Sequence, residues 1–164
     1  MADLNEQKRI KAIREALEHY FKIKGTKYFP FDRQNTAQAI YSTNTRFRHV
    51  TTFFRAYNEM LILSFVIPIQ VTEEARAKVG EFILRVNCGL KVGNFDIDLD
   101  DGEIFYRLSI FCGYDEFAPP TYEKIDTALS IGIIMLEKYG DSLVKVMLGL
   151  AEPVDAIDAA EKAY

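Results

Sequence analysis

The chain has 164 residues and a net charge of −4. A chain of this length can bury a core of its own, so it needs neither disulfides nor a metal ion to stabilise its fold. Its 49% hydrophobic and 27% charged residues are ordinary for a soluble globular protein, and no apolar run reaches the length of a membrane span. We therefore expect one domain over residues 1–164 and no membrane partner.

The N-terminus and the cysteines bear on where the protein is found. The first residues are polar and charged where a secretion signal would have an apolar centre. Cys88 and Cys112 are too few and too far apart to form a disulfide framework. We expect a cytoplasmic protein in which both cysteines are small, buried hydrophobic residues.

Charge is distributed unevenly along the chain. Residues 22–57 hold seven basic side chains against one acid, a net +6, whereas residues 93–126 hold nine acids against two basic side chains, a net −7. Either the two segments neutralise each other across one sheet, or they present a basic and an acidic surface to partners or to a second copy.

The first half of the chain predicts one helix and three strands. Apolar residues recur with helical spacing over residues 4–25 and indicate an amphipathic helix. After an aromatic loop at residues 28–31, segments rich in β-branched and aromatic residues predict strands over residues 37–43, 47–57 and 60–67. This half is therefore predicted to form a helix followed by three neighbouring strands.

The second half predicts helices on either side of a hairpin. An apolar stripe over residues 72–89 indicates a second helix. A third helix over residues 121–140 ends at a glycine, a short one follows over residues 141–148, and a last helix docks through Val154 and Ile157. The expected fold class is α+β, an antiparallel five-stranded sheet with helices packed on it, in the order α-βββ-α-ββ-α plus a C-terminal helix.

Residues 93–111 predict the antiparallel hairpin itself. Asp101-Gly102 is the pair that a two-residue turn needs, because both of its positions take a positive φ. The resulting register puts apolar residues on one face and charged residues on the other. Its cross-strand pairs are Leu99 with Ile104, Ile97 with Tyr106, Phe95 with Leu108 and Asp96 with Arg107.

The sequence offers little that is arranged for catalysis or metal binding. His19 and His49 have no cysteine, histidine or carboxylate at the spacing of a tetrahedral metal site, and the serines lie in no nucleophile motif. Asp96, Asp98 and Asp100 have the alternate spacing of a calcium loop, but its sixth-position glycine is replaced by aspartate. We expect no catalytic residue, no metal and no cofactor, and both histidines at the surface or at a helix edge.

Basic and aromatic residues interleave between Arg46 and Tyr57, on predicted strands. Such a surface binds single-stranded nucleic acids, because bases stack on the aromatic rings while Arg46, Arg48 and Arg55 meet the phosphates. The alternative is an ordinary strand whose aromatic residues enter the core while the arginines stay in solvent. The rest of the chain sums to −10, which favours the ordinary strand and argues against a nucleic-acid partner.

Two phenylalanines of the hairpin point to an interaction surface. In the predicted register, Phe105 and Phe111 lie on the face opposite Tyr106 and Leu108, so helices that pack on one face leave them uncovered. A homodimer through this face would join the acidic hairpin of one copy to the basic strands of another. The interface candidates are therefore Phe105, Arg107, Phe111, Asp96, Arg46, Arg48 and Arg55.

The order of elements and several residues of the second half resemble the YbjN family of bacterial proteins, over about the last 110 residues. The aromatic loop and the basic second strand do not match that family's positions. The residues that carry the resemblance are Pro68, Val71, Phe82, Asn87, Gly93, Phe95, Asp96, Asp101, Gly102, Tyr106, Arg107, Ser109, Pro153, Ala156, Ile157 and Glu161.

The resemblance implies a fold similar to that of the type III secretion chaperones. It further implies a non-enzymatic module, dimeric, that binds an unknown protein partner in a chaperone-like or regulatory way. It transfers no catalytic residue. Two alternatives stay open, single-stranded nucleic-acid binding through the basic aromatic strands and a small-ligand site between the sheet and the helices.

Overall fold

A computed structural model of the protein describes residues 2–163 and shows, within them, an α+β fold of four α-helices on one side of a six-stranded antiparallel sheet. A short 3-10 helix, Glu73–Ala75, precedes the second α-helix. The helices are α1 Ala2–Lys24, α2 Arg76–Gly89, α3 Tyr122–Met147 and α4 Pro153–Lys162. The strands are β1 Tyr28–Phe29, β2 Thr36–Ser42, β3 His49–Ala56, β4 Met60–Val66, β5 Asn94–Ile97 and β6 Ile104–Phe111, in the spatial order β1-β2-β3-β4-β6-β5.

Alternation along the strands decides which face the helices cover. In β3 every second residue from Val50 to Ala56 is buried, while Thr51, Phe53 and Arg55 between them are not. The same alternation runs through β4 and β6. Because successive side chains of a strand point to opposite faces, one face of the sheet belongs to the core and the other has no helix over it.

The expectation of five strands was one strand short. The aromatic loop at residues 28–31 contributes β1, whose Tyr28 and Phe29 pair with Ala39 and Gln38 of β2. The Tyr28 ring stacks against Phe21 of α1, with 4.6 Å between the ring centroids. The contacts with α1 and β2 stabilise this two-residue strand. A segment of two residues is too short for its own sequence to predict a strand.

The hairpin between β5 and β6 has a longer turn and a different register from those expected. Its loop holds the four residues 99–102: the Asp98 N–H donates to the Glu103 carbonyl at 2.8 Å, and the Gly102 N–H donates to the Asp98 carbonyl at 2.8 Å. Leu99 is thus in the loop, 63% exposed, and does not face Ile104. The observed pairs are Asn94 with Arg107, Phe95 with Tyr106, Asp96 with Phe105 and Ile97 with Ile104.

The shift in register is two residues, so each side chain keeps the face predicted for it. Asp96 is opposite Phe105 and not opposite Arg107. Its ion pair with Arg107 nevertheless forms along the diagonal, with 2.6 Å between Asp96 Oδ2 and Arg107 Nη2. The predicted contact is therefore present although the predicted pairing was wrong.

The helix expected to end at Gly140 continues, and α3 is one helix of 26 residues. Thr121 begins it as expected, since its hydroxyl accepts a hydrogen bond from the Lys124 N–H at 3.3 Å. A Cβ at position 140 would lie 2.8 Å from the ring of Phe47. Gly140 therefore allows a close approach between α3 and the β2–β3 loop, and it does not end the helix.

Two burial expectations also need correction. Cys112 is buried, and burial raises the pKa of its thiol, but Cys88 near the end of α2 is exposed. Val154 is 46% exposed and Ile157 only partly buried, so α4 does not dock mainly through them. The residues that α4 buries are Pro153, Ala156 and Ala160.

The side chain of Asn87 closes part of the β5 edge of the sheet. Its Nδ2 donates to the Phe95 carbonyl and its Oδ1 accepts from the Phe95 N–H, both at 2.8 Å. These are the groups of β5 that point away from β6, so the amide takes the place of a neighbouring strand. This contact joins the end of α2 to the edge of the sheet.

Asn87→Asp should lower the free energy of unfolding by about 2 kcal/mol, because the carboxylate keeps the acceptor and loses the donor to the Phe95 carbonyl. Urea unfolding of the purified variant measures this loss. Asn5→Asp, the same change at an exposed position of α1, is the control and should stay within about 0.5 kcal/mol of the parent. Equal stabilities for the two variants would show that Asn87 does not close the edge.

Candidate functional site: the open face of the sheet

The face of the sheet that points away from the helices is an uncovered, partly apolar surface built by the strands. We call it the open face. At its centre four apolar side chains, Phe53, Ile62, Val66 and Phe105, are partly buried by their neighbours alone. Polar residues of β2 and β3, such as Thr36 and Thr51, surround them.

The strand register fixes how these side chains meet. Val66 of β4 lies directly opposite Phe105 of β6, and Ile62 lies opposite Arg55 of β3. Phe53 of β3 is opposite Ser64, which lies two residues from Ile62 and two residues from Val66 along β4. Residues that are paired directly across two strands point to the same face of the sheet. These neighbours therefore share the open face and form one apolar floor.

A groove of about 420 Å³ runs across this floor. Two guanidinium groups, from Arg55 and Arg107, line it together with the Tyr57 ring. Carboxylates from Asp32 and Glu103 also line it. A groove with an apolar floor, two cations and an aromatic wall suits the binding of another molecule.

Arg107 is held in place on the open face. Its Nη2 makes the 2.6 Å contact to Asp96, and its guanidinium carbon lies 5.2 Å from the centre of the Phe105 ring. A charge-assisted hydrogen bond and a cation–π contact together fix the side chain. Arg107 therefore presents a positioned donor beside the aromatic ring of Phe105 on the open face.

Arg55 has no carboxylate partner within residues 2–163. Its guanidinium carbon lies 5.2 Å from the centre of the Tyr57 ring, and the residue is exposed. It flanks Thr36 on β2 and Ile62 on β4. Arg55 is thus a cation on the rim of an apolar floor, free to pair with an acidic group of another molecule.

The acidic end of the groove is at Glu103, next to the hairpin loop. Burial raises the pKa of the Glu103 carboxyl above its usual value, and the nearby charges of Asp101 and Asp98 act in the same direction. At the other end, Asp32 Oδ1 accepts from the N–H groups of Gln34 and Thr36. The open face therefore carries Glu103 and the Asp96–Arg107 ion pair on its β5–β6 side, and Arg55 and Asp32 on its β2–β3 side.

Arg46 and Arg48 do not lie on a strand or on the open face. They belong to the loop 43–48, where Arg48 takes a φ of 61° that no strand residue adopts. The Arg46 N–H donates to Asp141 Oδ1 at 2.8 Å, which fastens this loop to α3. Arg55 is seven residues beyond Arg48, about 23 Å along the strand direction. The three arginines thus do not form the single basic surface that nucleic-acid binding was expected to use.

Phe111 ends β6 and is placed apart from Phe105. It is 53% exposed, and its ring makes an edge contact with Tyr114 at 5.1 Å between centroids. Across the sheet it faces Met60 at the start of β4. Phe105 and Phe111 therefore share a face, as expected, but of the two only Phe105 lines the groove.

Sequence reasoning singled out five residues that lie on the open face or at its end, namely Phe105, Arg107, Asp96, Arg55 and Phe111. It missed the rest of the apolar floor, which is formed by Phe53, Ile62 and Val66. The signal for these residues was available. Each stands between two buried residues of a predicted strand, so period-two alternation across three strands identifies the same floor.

Other kinds of site are not evident in the described part of the chain. Among the side chains that the structure describes, those of residues 4–163, no three or more histidine, cysteine or acidic groups are placed to hold a metal ion. Within the same residues, none of the helices combines the length and the hydropathy needed to cross a membrane. His19 and His49 are both exposed.

Known proteins resemble this chain at the level of family and of fold. Residues 14–145 match the family model YbjN, described as "putative bacterial sensory transduction regulator". No curated protein matches the chain. The fold is similar to that of a crystal structure of YbjN from E. coli, described as "a putative transcription regulator", with a TM-score of 0.55 and 10% identity over 76% of this chain and 85% of that chain.

The family match extends from the middle of α1 into the last turn of α3 and so includes the whole sheet and the open face. It confirms the resemblance inferred from the hairpin and from the residues around α2. At 10% identity the similarity to the solved structure shows the fold alone. Since the family model matches well over half of the length of this chain, the chain belongs to the YbjN family.

Proposed function

We propose that this protein is a regulatory, non-enzymatic protein-binding module that acts through the open face of its sheet. The observation that carries the proposal is the apolar floor of Phe53, Ile62, Val66 and Phe105, which no helix covers and which Arg55 and Arg107 flank. Partner surfaces of proteins have this composition, an apolar centre with aromatic and arginine residues and a polar rim. The family description as a regulator supports the same class of function.

The size of the open face supports a second copy of the chain as its first partner. The 36 residues of the six strands, at about 3.3 Å rise and about 4.8 Å strand spacing, give a face of roughly 570 Å² in projection. A stable interface buries about 800 Å² of accessible surface on each partner, and a pleated face exposes more than its projected area. The face is therefore large enough for a homodimer.

Symmetry allows one arrangement of the two copies that buries the apolar floor. A two-fold axis parallel to β4 would place β3 of one copy over β6 of the other. Such an axis keeps each residue at its level along the strands, so Phe105 would approach Thr51 of the other copy and Arg55 would approach Ser109. A chaperone-like action would use the same apolar floor for other proteins when the dimer opens.

Affinity capture with matched baits tests the proposal. The baits are the parent chain, Phe105→Asp on the open face, and Leu99→Asp in the exposed hairpin loop. We expect the parent and Leu99→Asp to recover the same protein partners, this chain included, and Phe105→Asp to recover none of them. An identical partner set for all three baits would contradict the proposal. So would catalytic turnover in a hydrolase and transferase screen that one carboxylate substitution abolishes.

A further inference from the structure

Strand β6 extends beyond the strand that borders it. β5 pairs with β6 only as far as Arg107, because the chain leaves the sheet at Gly93. A Cβ at Gly93, whose φ is 67°, would lie 2.7 Å from the Arg107 carbonyl oxygen. The last four residues of β6, Leu108 to Phe111, therefore have a neighbour only on the β4 side.

The direction of the backbone groups in this segment follows from two bonds at either end of β6. The Ile67 N–H donates to the Ile104 carbonyl at 2.9 Å, and the Cys112 N–H donates to the Glu59 carbonyl at 2.7 Å, so the even-numbered residues of β6 bond to β4. Since backbone groups alternate sides along a strand, those of Ser109 and Phe111 point away from β4. Within residues 2–163 these four groups have no hydrogen-bond partner.

The neighbouring edge on the same side of the sheet shows a different arrangement. There the Asn87 side chain satisfies the outward N–H and C=O of Phe95. Strand edges without such cover pair readily with another chain. The bare edge at Ser109 and Phe111, both exposed, is thus a place where the fold accepts a further strand.

A second groove lies along this bare edge, between β6 and α3, with a volume of about 420 Å³. Its walls are mainly apolar, and Lys124 and Glu123 at one side bring charges that balance. The apolar residues that line it are Val92, Leu108, Ile110, Phe111, Ala128 and Ile131. A side chain that enters this groove must therefore be apolar.

We propose that the bare edge of β6 binds an extended segment of a partner protein, which adds to the sheet as an antiparallel strand. Pairing with Ser109 and Phe111 would form four backbone hydrogen bonds. The residue of the segment opposite Ile110 shares the face of Ile110, which is the helix side, and its apolar side chain enters the groove. The segment is therefore recognised by its backbone, with specificity for one apolar residue.

The dimensions favour a short segment over a second copy of the chain. Four residues of bare strand span only about 13 Å, far from the roughly 800 Å² per partner that a stable dimer buries. This surface is also distinct from the groove of the open face, since the two grooves share no lining residue. The inference therefore goes beyond the dimer interface proposed above and is tested separately.

Selection of a random twelve-residue peptide library displayed on phage, with the intact chain as bait, tests this proposal. The enriched peptides are then synthesised and titrated against the chain while amide hydrogen exchange is followed by NMR. Before addition, the amides of Ser109 and Phe111 should exchange much faster than those of Leu108 and Ile110, which bond to β4. Bound peptide should slow both by at least about tenfold, as expected for amides in a paired strand.

Two variants remove the site by different means. Ser109→Pro deletes an outward N–H and is tolerated on an edge strand only if that N–H has no partner in the fold. Thr127→Trp fills the groove from an exposed position of α3, and Ser130→Trp, exposed on the same helix, is its control. We expect Ser109→Pro and Thr127→Trp to weaken peptide binding at least tenfold, and Ser130→Trp to leave it unchanged.

Peptides N-methylated at alternate residues should divide into one set that binds and one that does not, since only one edge of the added strand faces β6. Failure to enrich any peptide, exchange changes confined to the open face, or full binding by both site variants would overturn the proposal. Conversion of a parent dimer to a monomer by Ser109→Pro would also overturn it, because a second copy would then be the occupant. If Phe105→Asp loses dimerisation but still binds the peptides, the loss concerns only the open face and the proposal for the bare edge stands.

Discussion

Phe105→Asp is expected to convert the chain from a dimer to a monomer at about 20–50 μM without unfolding it. Phe105 lies between Val66 and Asp96 on the open face. A carboxylate there would place a charge in an apolar contact and would compete with Asp96 for Arg107, so the dimer dissociation constant should rise by at least about 100-fold. Light scattering of the eluted protein gives the mass, and circular dichroism reports the fold.

Two further variants separate interface from core. Leu99→Asp makes the same kind of change at a residue that is exposed in the hairpin loop and should leave the mass unchanged. Phe105→Ser removes the ring without placing a charge beside Asp96 and should also weaken the dimer. A parent chain that is strictly monomeric at these concentrations, or a Phe105 variant that simply unfolds, would show that Phe105 serves the core and that the dimer proposal is wrong.

The turn of the hairpin shows why local signals were not sufficient. Asp101-Gly102 fits a two-residue turn, and the same pair also fits the end of a four-residue loop in which Gly102 takes a φ of 79°. The choice depends on a distant segment, because the Val71 N–H donates to the Gly102 carbonyl at 2.9 Å. Residue 71 is outside the hairpin, so the hairpin sequence does not contain the information that sets its turn.

The faces of the hairpin were nevertheless predictable. Apolar and charged residues alternate with a period of two. The registers that keep the apolar residues on the core face therefore differ from one another by two residues. Phe105 and Arg107 were therefore placed on the uncovered face although their partners were misassigned. The face of each residue depends on the alternation and not on the exact pairs, which is why the sequence predicts the face of Phe105 and Arg107 correctly.

The loop between β2 and β3 shows the opposite case. Its residues are rich in strand-forming and basic types, so it was interpreted as the beginning of a basic strand. Two carboxylates of α3 decide its structure: Glu137 accepts from the Asn44 N–H at 2.9 Å, and Asp141 accepts from the Arg46 N–H. Partners more than 90 residues away in sequence override strand propensity here.

Glycines in helices provide the sharpest contrast between local and tertiary rules. Helix propensity alone predicts that Gly→Ala stabilises a helix by about 1 kcal/mol at any interior position. Around Gly80 of α2 nothing lies within 4 Å of a Cβ, so this expectation should hold. Gly132 of α3 instead sits on the ring of Phe65, a fully buried residue of β4, and a Cβ there would overlap the ring.

Gly80→Ala should therefore raise the free energy of unfolding by about 1 kcal/mol, whereas Gly132→Ala should lower it by about 2–3 kcal/mol. For a domain of this size the corresponding changes in melting temperature are a rise of roughly 2–4 °C and a fall of roughly 5–10 °C. Calorimetry of the two variants beside the parent measures both. Gly132→Ala combined with Phe65→Leu should recover part of the loss, because a smaller side chain then faces the added methyl group. A stabilising effect of Gly132→Ala alone would show that α3 does not rest on Phe65 and that the sheet and its longest helix are packed differently from the arrangement described above.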